Sequence, residues 1–86
     1  MPLAMASAGK PYKIIRITGK DETIRFLSNL GFVVDAEVTV VSEIDGNIIV
    51  NVKESRVAIG KEMARKIIVA WFLNPVVKQG LFTVYG

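Results

Sequence analysis

Tyr12 to Thr18 mixes aromatic and β-branched residues with the polar Lys13 and Arg16, and Gly19 follows. This predicts a first strand that ends in a turn. The period then changes. Ile24, Leu27 and Leu30 fall on one side of a short helix that Asp21 or Thr23 can cap, and Gly31 supplies a left-handed stop. Arg25, Ser28 and Asn29 are expected to face water. Alternation runs from Glu37, with Val38 and Val40 on one face and Thr39 and Val41 on the other. Asp45-Gly46 is the strongest hairpin signal in the chain, because both residues accept the positive φ that a tight two-residue turn demands.

Ile48, Val50 and Val52 return on the inward face, and Lys53-Glu54-Ser55-Arg56 reads as a polar turn. In Val57-Ala58-Ile59-Gly60-Lys61-Glu62-Met63-Ala64-Arg65-Lys66-Ile67-Ile68-Val69 a period-two pattern breaks at Gly60, makes about one helical turn and resumes as a strand on Ile67 and Val69. Five short strands, turns about every ten residues and one inserted helix predict a small, mainly β, partly open barrel. The pattern alone leaves an SH3-like and an OB-type arrangement both open, since each has five strands and a helix.

The ordered set of motifs carries a family resemblance that favours the SH3-like arrangement. A helix ending in L-x-x-L-G (Leu27 to Gly31), a valine-rich hairpin and I-G-x-x-x-A-x-x-I-x-V (Ile59 to Val69) together resemble the FeoA family of ferrous iron transport accessory proteins over about residues 11 to 69. The resemblance implies an SH3-like five-stranded barrel, with the short helical turn before its last strand. Two positions depart from the family pattern. Phe26 stands where arginine is usual before the first leucine, and Val34-Asp35 stands where Pro-Gly is usual in the turn after the helix. Asp accepts unusual backbone angles better than most residues, so the turn is expected to form. The Phe26 replacement removes the charge that a family contact at this place would use.

Composition narrows the chemistry. The 86 residues, about half of them apolar, are too few for two independent cores. Neither cysteine nor histidine occurs, which excludes disulfides, thiolate and imidazole metal ligands, and Cys or His nucleophile machinery. Oxygen ligands alone suit a borderline ion such as Fe(II) poorly, and the carboxylates have ordinary roles: Asp21 a cap, Asp45 a turn, Glu54 a solvated loop. No metal, cofactor or catalytic residue is therefore assigned. Gly60-Lys61 lacks the second glycine of a phosphate loop, and Glu62 follows the lysine where Ser or Thr is needed. Eleven basic against eight acidic side chains, spread along the chain, give a net charge of +3. That balance does not point to nucleic acid, whose binders concentrate Lys and Arg on one face.

A protein partner is the remaining expectation. Lys61, Arg65 and Lys66 flank the short helical turn, and positions 61 and 65, four apart, project from one side. Arg25 with Ser28 and Asn29 forms a second patch. Trp71 and Phe72 open an apolar tail that continues through Leu73, Val76, Val77 and a possible strand Leu81 to Tyr85. Left in water it is an aggregation hazard, so it is expected to pack on the barrel, on a second copy or on a partner. The expected organisation is a flexible N-terminal arm over 1–10, the barrel over 11–69 and the apolar extension over 70–86. The longest apolar run, Ile67 to Leu73, is far shorter than the ~20 residues a bilayer needs.

The family resemblance implies a non-enzymatic cytoplasmic adaptor of ferrous iron uptake that contacts the GTPase region of the FeoB membrane transporter. It also implies an alternative, since similar SH3-like domains occur fused to iron-dependent transcription repressors as regulatory modules.

Overall fold

A computed structural model describes residues 1–71. Five strands, β1 (Pro11–Ile17), β2 (Glu37–Ile44), β3 (Asn47–Val52), β4 (Ser55–Gly60) and β5 (Ile67–Trp71), form one antiparallel sheet in the order β4-β3-β2-β1-β5. Helix α1 (Asp21–Asn29) follows β1, and the single turn α2 (Lys61–Ala64) joins β4 to β5. The alternation read from the sequence is the alternation of burial: Val38, Val40, Ile48, Val50, Val52, Ile67 and Val69 all point into the core. The cross-strand pairs Val38↔Val52, Val40↔Val50 and Ile48↔Ile59 bring these side chains together across the inner face. Register shifts between Val40 and Ser42 and between Ile14 and Arg16 interrupt the ladder. Such bulges sharpen the bend with which a short sheet wraps around its own interior.

The helix start differs from expectation. Lys20 occupies the N-cap and makes no side-chain capping bond, so neither Asp21 nor Thr23 caps α1. Asp21 and Glu22 instead lie in the first turn, where their negative charge favours the helix N-terminus. At the other end, the Phe32 amide donates to the Leu27 carbonyl at 2.9 Å and the Gly31 amide to the Ser28 carbonyl at 2.9 Å. These are the two bonds of a Schellman stop, with Gly31 at φ 108° and with Leu27 and Phe32 both fully buried. Asp35 adopts φ 76°, so the turn that lacks Pro-Gly still takes the left-handed geometry.

The flexible arm expected over 1–10 is replaced by packed structure. Leu3 is fully buried within the core cluster, inside a 3-10 turn spanning Leu3–Met5. The Val69 amide donates to the Met1 carbonyl at 2.7 Å, and Pro2 bridges Ile68. The Gly9 amide donates to the Val40 carbonyl at 2.8 Å, and the Ser7 amide donates to the Tyr12 hydroxyl at 3.0 Å. Small apolar residues without a charged start, too short for a signal peptide, suggested a frayed arm. One leucine with a place in the core, and the outer edge of β5, hold it. The apolar extension expected over 70–86 begins inside β5, since Ala70 and Trp71 pair with Lys13 and Tyr12; residues 72–86 lie outside the described residues.

Candidate functional site

Antiparallel pairing of β1 with β5 builds the surface around α2. Arg16 lies opposite Ile68 and Ile17 opposite Ile67, and the next position is fixed by the Lys66 carbonyl. That carbonyl accepts from the Thr18 amide at 2.8 Å and from Thr18 Oγ1 at 3.2 Å. The Lys66 stem runs across Gly19, so close that a Cβ there would meet its Cδ at 3.3 Å. Lys20 follows directly. Arg16, Lys20, Arg65 and Lys66 therefore share one corner, although about fifty residues separate the two stretches in sequence. None of them has a carboxylate within 4 Å among the described residues. Asp21, Glu22 and Glu62 are the acids nearest to them in sequence, so the corner is mixed in charge with a basic surplus.

The expected cluster is only partly assembled. Lys61 Nζ binds Glu43 Oε2 at 2.6 Å, which ties it to the end of β2. Arg65 is exposed and Lys66 half-buried. Arg25 is exposed on α1, on a different element from the corner and without an ion pair among the described residues. Trp71 ends β5, 45% exposed, with Lys10 Nζ 5.0 Å from its ring centroid. A cation at that distance over the ring face is attracted by the ring quadrupole. Phe72 lies outside the described residues.

Sequence reasoning missed Arg16, Lys20 and Lys10, which join the site only through strand pairing and through the folded N-terminal segment. It also missed a polar hollow of about 340 Å³ lined by Asn51, Lys53, Glu54, Ser55 and Arg56. Arg56 Nε donates to Asn51 Oδ1 at 3.0 Å across the β3–β4 pair, and both residues line the hollow. No signal in the sequence pairs those two residues before the register is known. Phe26 is half-exposed on α1, so the departure from the family pattern leaves an aromatic ring at the surface. Among the described residues no group of three or more acidic side chains is placed to hold a metal ion. Nor is any helix among them long and apolar enough to cross a membrane.

The FeoA domain model matches residues 1–70. The chain belongs to the FeoA domain family. The match takes in the first ten residues, which the burial of Leu3 and the main-chain bonds between Met1 and Val69 make part of the same unit. No curated protein matches the chain. Among solved structures, a crystal structure of an iron uptake regulatory protein (FeoA) is 27% identical with a TM-score of 0.75, covering 80% of this chain and 93% of that one. The solution structure of FeoA from Chlorobium tepidum has a TM-score of 0.79 at 21% identity, covering 94% and 80%. Stenotrophomonas maltophilia FeoA complexed with zinc, described as a procaryotic SH3 domain protein, has a TM-score of 0.71 at 24% identity over 81% and 89%. A manganese-dependent transcriptional repressor also shares the fold, with a TM-score of 0.76 at 23% identity; this chain spans 41% of its length. The barrel of this FeoA-family chain is thus SH3-like, and the OB-type alternative is set aside.

Proposed function

We propose that the chain is a non-enzymatic accessory protein of ferrous iron uptake, acting in the cytoplasm by binding the GTPase region of a FeoB-type transporter. The observation that carries this reading is the FeoA match over residues 1–70, on a barrel whose core is filled by its own side chains. A filled core of this size has no room for a substrate, so the surface is what the molecule can offer. The corner of Arg16, Lys20, Arg65 and Lys66 is the docking surface we assign, with the Trp71–Lys10 pair as a second contact and Arg25 as a third. Lys61 contributes less, because Glu43 already holds it.

Binding influences a transporter only through a difference in affinity between its conformations. The adaptor would favour one nucleotide state of the GTPase region and raise its population. Purified protein incubated with native membrane extract, with and without guanine nucleotide, is expected to retain a ferrous transporter, identified by mass spectrometry. Equal recovery in both nucleotide conditions would remove the population-shift mechanism, and recovery of a transcription factor in place of a transporter would overturn the adaptor reading. The fold shared with the manganese-dependent repressor favours a second reading, a regulatory module acting beside DNA-binding domains. Recovery of a repressor in the same experiment would support it.

A further inference from the structure

The sheet has two edges, and among the described residues only one of them is covered. On β5 the backbone of Met1 and Pro2 runs alongside, through the bond from the Val69 amide to the Met1 carbonyl and the Pro2↔Ile68 bridge. On β4 no described residue pairs with the outer side. The β3–β4 hairpin turns on two residues, Lys53 and Glu54, so the flanking pair Val52↔Ser55 exchanges both ladder bonds, and Val50↔Val57 and Ile48↔Ile59 do the same. The amides and carbonyls of Arg56 and Ala58 consequently point away from β3. Devices that usually blunt such an edge are sparse: β4 has no proline, its register with β3 has no bulge, and its one charge is Arg56.

The same chain carries a segment that needs cover. Leu81-Phe82-Thr83-Val84-Tyr85, beyond the described residues, is aromatic and β-branched throughout except for its leucine. Its alternation places Phe82 and Val84 on one side and Leu81, Thr83 and Tyr85, with two hydroxyls, on the other. Reach is sufficient. The pairs Trp71↔Tyr12, Tyr12↔Val38, Val38↔Val52 and Val52↔Ser55 form one continuous row, so the chain leaves Trp71 level with the start of β4 and four strand spacings away. A strand added outside β4 lies one spacing further, so the path is five spacings, ~24 Å in a flat sheet, and curling shortens that. Residues 72–80 can span ~30 Å.

We propose that Leu81–Tyr85 of the same chain adds to the outer edge of β4 as a sixth strand. Phe82 and Val84 then lie beside the half-buried Val57, and Thr83 and Tyr85 lie on the solvent face with Arg56. The added strand supplies partners for the outward amides and covers the Phe82 and Val84 side of the last apolar stretch in one step.

Amide hydrogen exchange by NMR on the full chain tests this, because Val57 and Ile59 are bonded to β3 in either case and serve as internal references. Exchange at Arg56 and Ala58 is expected to lie within about ten-fold of those references. Thr83→Pro and Val84→Pro, made separately, cover both possible facings, and one of them must remove an amide aimed at β4. At least one is expected to speed exchange at Arg56 and Ala58 by about ten-fold or more while leaving Val57 and Ile59 unchanged. Fast exchange at Arg56 and Ala58 in the unaltered chain, or no response to either proline, overturns the proposal. Protection that persists on dilution with a monomeric mass by light scattering supports the same-chain strand. Protection that fades on dilution, with a dimeric mass, overturns that assignment in favour of a second copy.

Discussion

Leu3 shows how much one side chain decides. Its neighbours Pro2, Ala4, Met5 and Ala6 form no repeating pattern, yet its complete burial anchors the segment to the core. Leu3→Ala is expected to cost about 2–5 kcal/mol, because it leaves a cavity that a short 3-10 turn cannot collapse into. Urea denaturation reads this as a lower midpoint with an unchanged slope, and a loss below about 0.5 kcal/mol would mean that the segment is not part of the folded unit. Lys61 is the contrasting case. Its pair with Glu43 is short but roughly half-exposed at both ends, so Lys61→Ala is expected to cost about 0.5 kcal/mol or less by the same measurement. Phe26→Arg, which restores the residue usual in the family, should change stability by less than about 0.5 kcal/mol, since the ring is half-exposed.

At the scale of elements, each boundary has its own device. Helix α1 stops at Gly31 because two carbonyls of its last turn are bonded only if that residue turns left-handed. Gly31→Ala is expected to cost about 1–2 kcal/mol, the penalty of a Cβ in that conformation, and thermal unfolding would register it. Steric clash is a minor part, because the nearest atom to such a Cβ would be Val52 Cγ2 at 3.5 Å, an ordinary contact. The hairpin between β2 and β3 behaves alike, with Asp45 and Gly46 at φ 51° and 81°. Lys53, at φ 56° in the next hairpin, takes the same conformation without being Gly, Asn or Asp. Sequence reading placed a polar turn there and had no means to locate its tightest point.

For the whole molecule, the order β4-β3-β2-β1-β5 matters most, because pairing the first strand with the last creates the basic corner. Replacing Arg65 and Lys66 together by glutamate is expected to leave the fold intact, since both side chains lack ion pairs among the described residues. It should weaken partner capture at least about ten-fold if the corner docks an acidic surface, and the difference should shrink as salt is raised from 0.05 to ~0.5 M. Capture unaffected by the double substitution would move the docking surface to Trp71 and Lys10 or to Arg25.

The sequence by itself determined the strands, the helix, the turn positions and the inward set of valines and isoleucines. Period and turn chemistry are local, and those elements obey their local preferences except at Lys53, whose left-handed conformation its residue type does not signal. It determined the family as well, because the motif order L-x-x-L-G, valine hairpin, I-G-x-x-x-A-x-x-I-x-V is itself linear. Tertiary structure alone decided that Leu3 belongs to the core and ties the N-terminal segment to it, that Lys61 is already engaged, and that Arg16 and Lys20 stand beside Arg65 and Lys66. These are contacts between residues far apart in the chain, set by strand register and by which cavity a side chain fills, and no period of two or 3.6 encodes them.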